Sequence, residues 1–439
     1  MKEVLNIDNL LNYYKDISMK PTVGIDKIGR KRFEKDLIKN LELVIKKGLN
    51  GSYCFSPYKL TLIPKGVEKK PRKICIPTIR DKVMLRALKE VICKYYTYES
   101  GESKFSGKSI KTIIEDITNA FESGKYNTYI KLDITSFYDN IDHEILIEKL
   151  SKEIDDEKVI SLIKNAISRK QVYENYVNDT TIGVPQGLAI SNILANIYLD
   201  ELDKKYSTMD ILYNRYVDDI FIMCNLEDAV NIQRQIVREL KMKYFLEVNE
   251  SKCEIGSTDE GVSYLGYRFE NKEVSVRESS IKKIEKAIEA LFVTYNNLPK
   301  ERKNIEKLIW SLNLKITGGI YDNKKYGWLF FYSQITNQNL LFHLDDLIDK
   351  YIKRFKLPEL NGRLKKFSRT YCEIRKNLRL TQYIPKFDLY TIEQKKVFLK
   401  NVCEFSDVES LSERDIENNF RKNIFKNLKE LERDLQYIS

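Results

Sequence analysis

The spacing of apolar residues changes character repeatedly along the chain. Residues 1–50 follow a helical period that ends near Lys46-Lys47-Gly48. From about 53 to 80 the pattern is that of strands, with TLIPKG and RKICIP on either side of a polar turn at 66–71. Helical spacing returns at 81–97 and 108–123, a strand is predicted at 128–134 (TYIKLDI), and a helix near 143–168. Two strands are predicted to flank an Asp-Asp pair in LYNRYVDDIFIM, residues 212–223. Past about 275 the chain reads as helix, with Ile281, Ile284, Ile288 and Leu291 on one face. NLLFHLDDLIDKYIKRF and NIFKNLKELERDL continue that pattern. The expectation is a mixed α+β part followed by an all-α part, without repeats or linkers.

Asp218 and Asp219 are the anomaly. Adjacent carboxylates in an apolar strand repel, and burying them costs several kcal/mol unless a cation lies between them. An ordinary hairpin tip is one reading. A metal site is the other, and it needs a third carboxylate from a different strand. Asp133 in YIKLDITSFYDNID stands where a strand would leave the sheet edge. Three aspartates offer oxygen ligands for two Mg²⁺ ions completed by substrate phosphates, which suits nucleotidyl transfer better than a calcium cage. Between these segments lies GVPQGLAISNILANIYLDELD (183–203). There Gly183 and Gly187 allow close backbone approach, Pro185 stiffens the turn, and Gln186 offers a neutral amide to a sugar or base.

Composition narrows the chemistry. The 439 residues suffice for two or three domains. Seven scattered cysteines without a C-x-x-C pair fit a reducing cytoplasm, not a disulfide framework or a structural zinc. His143 and His343 are the only histidines, which excludes chemistry built on several imidazoles, such as zinc hydrolysis or an HNH-type nuclease. No 18-residue apolar run and no signal-like start are present, so a cytoplasmic protein without a membrane segment is expected. The net charge of +11 is unevenly spread. Residues 59–82 carry eight basic side chains against two acidic ones, and residues 351–380 carry ten against two. The second stretch is interleaved with Tyr351, Phe355, Phe367 and Tyr371, a mixture suited to a phosphate backbone with exposed bases or to a solvated helix face.

The ordered motifs resemble those of reverse transcriptases. DITSFYDNI is similar to the first palm motif of that family, GVPQGLAISNILANIYL to its second, YVDD to its third and Lys252 in NESKCEI to its fourth. YLGYRF (264–269) is similar to the primer grip, and LIPKGVEKKPRKICIPTIRDKV to the triphosphate-binding fingers segment; together they cover about 60–270. The resemblance implies a right-hand polymerase with an antiparallel palm sheet. Its parts would be a helical segment over 1–50, fingers and palm over 51–275, a helical thumb over 276–365 and a helical extension over 366–439. It implies that Asp133, Asp218 and Asp219 hold two Mg²⁺ ions and that Lys65 and Arg72 clamp a dNTP triphosphate. Lys252 would act as a general acid or phosphate contact, and Gln186 would touch the nucleotide or template. Tyr138 would be an aromatic gate against a 2′-hydroxyl, the feature separating a DNA-making enzyme from RNA-dependent RNA polymerases.

LNLKITGGIYDNKKYGWLFFYSQI (312–335) resembles the thumb of stand-alone bacterial reverse transcriptases of phage defence, relatives of the retron and group II intron types. That likeness implies a structured noncoding RNA as template and a DNA primer or product. A retron-type or intron-type enzyme competes with it, as does a non-catalytic RNA-binding or splicing-accessory protein with a polymerase fold.

Overall fold

A computed structural model describes residues 1–17, 22–64, 71–97, 108–173, 176–178 and 181–433. Its strands are β1 (Tyr58–Ile63), β2 (Arg72–Ile76), β3 (Thr128–Asp133), β4 (Gln171–Tyr173), β5 (Tyr176–Asn178), β6 (Leu212–Tyr216) and β7 (Asp219–Cys224), followed by β8 (Glu254–Ser257), β9 (Val262–Tyr264), β10 (Tyr267–Glu270), β11 (Glu273–Val276), β12 (Gly319–Tyr321) and β13 (Lys324–Tyr326). The chain divides into two compact units, Met1–Ile113 with Tyr126–Gly256, and Ile114–Lys125 with Ser257–Ser439.

The first unit holds two four-stranded sheets, ordered β2-β1-β4-β5 and β6-β7-β3-β8. In the second of these β7 runs antiparallel to both β6 and β3. Helix Ser191–Ser207 buries Leu194, Tyr198, Leu202 and Tyr206, an i, i+4 stripe. Tyr206 stacks on Tyr213 of β6 with ring centroids 5.8 Å apart, which seats the helix against the sheet. The helix expected near 143–168 is two helices, His143–Glu153 and Glu157–Ile167. Asp156 makes the break by capping the second through the Lys158 backbone N–H.

In the second unit Tyr267 of β10 is fully buried, with its ring centroid 5.1 Å from that of Tyr332 and its hydroxyl on the Phe331 carbonyl. Phe269 stacks on Phe121 at 5.6 Å, and Thr336 N–H donates to the Val274 carbonyl. These contacts tie β9–β11 to the helices that follow, so the compact unit begins before the strand-to-helix change expected at 275. Helix Glu278–Asn296 buries Ile284, Ile288 and Phe292. The expectation of uninterrupted helix beyond it fails at β12–β13, a hairpin turned by Asp322 and Asn323 at φ 53° and 55°. Two consecutive positive φ values define the turn whose twist matches paired strands.

The aromatics of 351–380 divide between interior and surface. Phe367 and Tyr371 are buried, with Tyr371 donating to the Ile335 carbonyl. Tyr351 and Phe355 lie against Phe292, ring centroids 5.4 and 5.7 Å away. Two of the four rings thus lie in the interior and two are half-buried, while most of the basic residues between them are exposed. Among the described residues no helix is long and apolar enough to cross a membrane.

Candidate active site

The Asp-Asp pair sits where two strands turn. Tyr216 pairs with Asp219 across β6–β7, leaving Val217 and Asp218 as a two-residue turn. On the other side of β7, Asp219 lies directly opposite Asp133 at the end of β3. Directly opposed residues point to the same face, so the register brings Asp133 and Asp219 side by side. The Ile134 N–H donates to the Asp218 carbonyl at 2.9 Å, fixing the turn to the strand that carries Asp133.

Lys252 comes to the same place from the opposite edge. Thr135 N–H donates to the Glu247 carbonyl at 2.8 Å and Asn249 N–H to the Asp133 carbonyl at 2.7 Å. The short helix Glu250–Lys252 then delivers the amine to Asp133 Oδ1, 2.6 Å away. Burial alone would lower the affinity of this amine for its proton. The hydrogen bond and charge of Asp133, with those of Asp219 and Asp218, outweigh it and raise the amine.

Burial, followed by repulsion from Asp218 and Asp133, pushes Asp219 up to about 7. Asp218 is raised chiefly by burial, with Asp133 adding to it and Lys252 and Arg72 opposing. Among the described residues no three acidic, thiol or imidazole groups are gathered closely enough to hold a metal ion as they stand. The donor set nevertheless fits magnesium in kind: carboxylates whose mutual repulsion one lysine leaves incompletely balanced, on a rigid sheet. Without metal, the folded chain keeps the Asp219 proton from the ordinary carboxylate value of 3.8 up to about 7, where the unfolded chain has lost it. Metal-free protein is therefore expected to lose stability as pH rises through that window. Asp219→Asn should flatten the slope and raise the melting temperature near neutrality, as scanning calorimetry in EDTA at pH 5 and pH 7.5 would show.

The GVPQG loop is strapped to both β2 and the Asp133 segment. The Cys75 N–H donates to the Gln186 carbonyl at 2.8 Å, and the Val184 N–H to the Tyr138 carbonyl at 2.7 Å. Gly183 and Gly187 take φ of +90° and +102°, and an added Cβ would stand 2.7 Å from Asp139 O and 2.8 Å from Cys75 O. Only glycine fits there. A cavity of about 260 Å³ beside the loop is lined by Lys73, Cys75, Asp139, Gln171 and Gln186 among others. Arg72 opens β2 from an exposed position, and its charge reaches Asp218 and Tyr138. Lys65 lies outside the described residues.

Two side chains bonded to the candidate site escaped the sequence reading. Arg215 is buried, with Nε 2.8 Å from Asp203 Oδ1 and Nη1 donating to the Val217 carbonyl at 2.8 Å. Tyr213 completes this network by donating to Asp203 at 2.9 Å. Val217 has φ +59°, costly for a β-branched residue, so the hairpin carrying the aspartates is held by a buried ion pair. Asn192 accepts the Tyr138 hydroxyl at 2.8 Å. A cation within a strand next to paired aspartates was the available signal for Arg215; Asn192 gave none.

A sheet that presents aspartates from two neighbouring strands, with a lysine and a glycine-strapped loop beside them, resembles the palm of a polymerase. Residues 63–269 match the family "Reverse transcriptase (RNA-dependent DNA polymerase)". The chain is 30% identical over 186 residues to the group II intron-encoded protein LtrA of Lactococcus lactis subsp. cremoris, covering 42% of this chain and 30% of that protein. It is 26% identical over 192 residues to the retron Ec83 reverse transcriptase of Escherichia coli, covering 43% of this chain and 59% of that one. The chain thus spans less than two thirds of either relative. Among solved structures, telomerase from Candida albicans in complex with a telomeric RNA fragment aligns over 87% of this chain and 68% of that one, with TM-score 0.46 and 14% identity.

Proposed function

We propose that the chain is an RNA-directed DNA polymerase that transfers nucleotides from dNTPs to a growing DNA strand. The observation that carries this reading is the pairing of Asp133 opposite Asp219, with Asp218 in the adjoining turn, inside the span that matches the reverse transcriptase family. Two bound magnesium ions would lower the pKa of the primer 3′-hydroxyl and neutralise the leaving pyrophosphate. Asp133, Asp218 and Asp219 would hold them. Arg72, with Lys65, contacts the triphosphate, where a fixed guanidinium stabilises charge that grows on the phosphates. Lys252, already charged and directed at Asp133, donates a proton or contacts phosphate. Gln186 faces the nucleotide or template. Residues 51–275 serve as fingers and palm, 276–365 as thumb and 366–439 as a helical extension.

The test is magnesium-dependent dNTP incorporation on a primed RNA, repeated without RNA to expose any untemplated addition. Absence of synthesis in both would leave the RNA-binding reading, which retention of all three aspartates disfavours. Tyr138 would select the sugar: Tyr138→Ala is expected to relax discrimination against ribonucleotides by about 10- to 100-fold. Single-nucleotide kcat/KM ratios measure this, and an unchanged ratio would remove the gate.

For the biological setting we favour stand-alone synthesis on a dedicated noncoding RNA in phage defence, on the likeness of residues 312–335. The retron relative supports the neighbouring reading, in which a retron RNA is the template. Sequencing RNA and DNA that co-purify with the protein separates the two.

A further inference from the structure

We propose that Asn192 is a positioning residue that locks the Tyr138 ring in place and thereby sharpens sugar selection. This rests on the reading of Tyr138 as the sugar gate. A gate works by occupying the volume a 2′-hydroxyl would need, so its selectivity falls with every rotamer that lets the ring swing away. Tyr138 is held at both ends. At the backbone, its carbonyl accepts the Val184 N–H at 2.7 Å, and the buried Phe137 ring stands 5.8 Å from its own. At the far end, its hydroxyl donates to Asn192 Oδ1 at 2.8 Å. A turn about χ1 or χ2 cannot occur without breaking that last bond or dragging the hydroxyl off it.

The backbone that carries Asn192 is well anchored, although its side chain is exposed. It lies in the first turn of helix Ser191–Ser207, whose Ile193, Leu194 and Tyr198 are buried. Its neighbour Ser191 is buried and donates through Oγ to the Pro185 carbonyl at 2.6 Å. The brace therefore reaches the Tyr138 hydroxyl from a helix whose first residue is bonded to the loop that carries Gln186, which couples the ring to that loop. Burial and the charge of Asp218 push the phenol up to about 12, so the hydroxyl remains a donor throughout the working range.

The experiment measures the ratio of kcat/KM for a dNTP and the matching rNTP in the full chain, for Tyr138→Ala, Tyr138→Phe, Asn192→Ala and the Tyr138→Phe/Asn192→Ala double variant. Tyr138→Phe keeps the bulk and removes the bond. One lost hydrogen bond predicts about a two- to tenfold fall in the ratio for Tyr138→Phe and for Asn192→Ala, with the double variant no worse than either. Asn192→Asp, which keeps an acceptor oxygen, should retain the wild-type ratio. If Tyr138→Ala leaves the ratio unchanged, the gate itself is wrong and the brace falls with it. If Tyr138→Ala relaxes the ratio while Tyr138→Phe and Asn192→Ala match wild type, the gate is ring bulk alone and Asn192 has no part in it. Additive losses in the double variant would likewise overturn the coupling.

Discussion

Asp218→Asn is expected to lower the rate of dNTP incorporation by about 10³-fold or more while the protein melts at the same temperature or higher. The two effects share one cause. Asp218 is raised above an ordinary aspartate because it is buried and because Asp133 repels its charge. The apo fold therefore gains nothing from the ionised form, and a neutral amide of the same shape relieves it. Catalysis needs the opposite, a full negative charge that a cation and the phosphates it carries can balance. A carboxamide presents one neutral oxygen in its place. Single-turnover incorporation on a primed RNA, run beside calorimetric unfolding in EDTA, reads both quantities. A variant as fast as wild type would contradict the site; a slow variant that also melts several degrees lower would point to damaged folding instead of lost charge.

Much of this site was legible because its residues break local rules. Paired aspartates in an apolar run, and glycines bracketing Pro185 and Gln186, are conspicuous where a strand or helix should be regular. The register was not legible. Nothing in the order of residues says that Asp133 falls opposite Asp219, a consequence of how β3 and β7 align over their whole length. The approach of Lys252 likewise depends on residues 247–249 bonding to the edge of the Asp133 segment, a contact between residues far apart in sequence. Asn192 reads as an ordinary polar helix residue until the fold brings Tyr138 to it. The aromatics of 351–380 were only partly legible: the mixture of rings and cations does not say which rings turn inward, and the fold buries Phe367 and Tyr371 while leaving Tyr351 and Phe355 half-exposed against Phe292. In β12–β13 the lysines of the second strand mask alternation, and only Asp322-Asn323 marked a turn.

Arg215→Met is expected to destabilise the protein by about 3–5 kcal/mol, because it strands the buried Asp203 carboxylate without its partner. The side chains of this pair are only 2% and 5% exposed, so water cannot replace the missing charge. Converting both members together, Arg215→Met with Asp203→Leu, should recover most of that stability, since a buried ion pair exchanged for apolar volume is often close to neutral. Activity should not recover with it. The guanidinium also donates to the Val217 carbonyl, and Val217 stays in the left-handed region at φ +59° only while its surroundings hold it there. Freed of that bond, the turn relaxes toward negative φ and moves the adjacent Asp218. Adding Val217→Gly to the stable double variant removes the steric penalty for the native turn and should restore a large part of the lost rate. Unfolding free energies from urea titration and incorporation rates measured on the same four proteins separate the contributions. A double variant that regains both stability and activity would show that the pair serves the core alone and leaves the hairpin to hold its own shape.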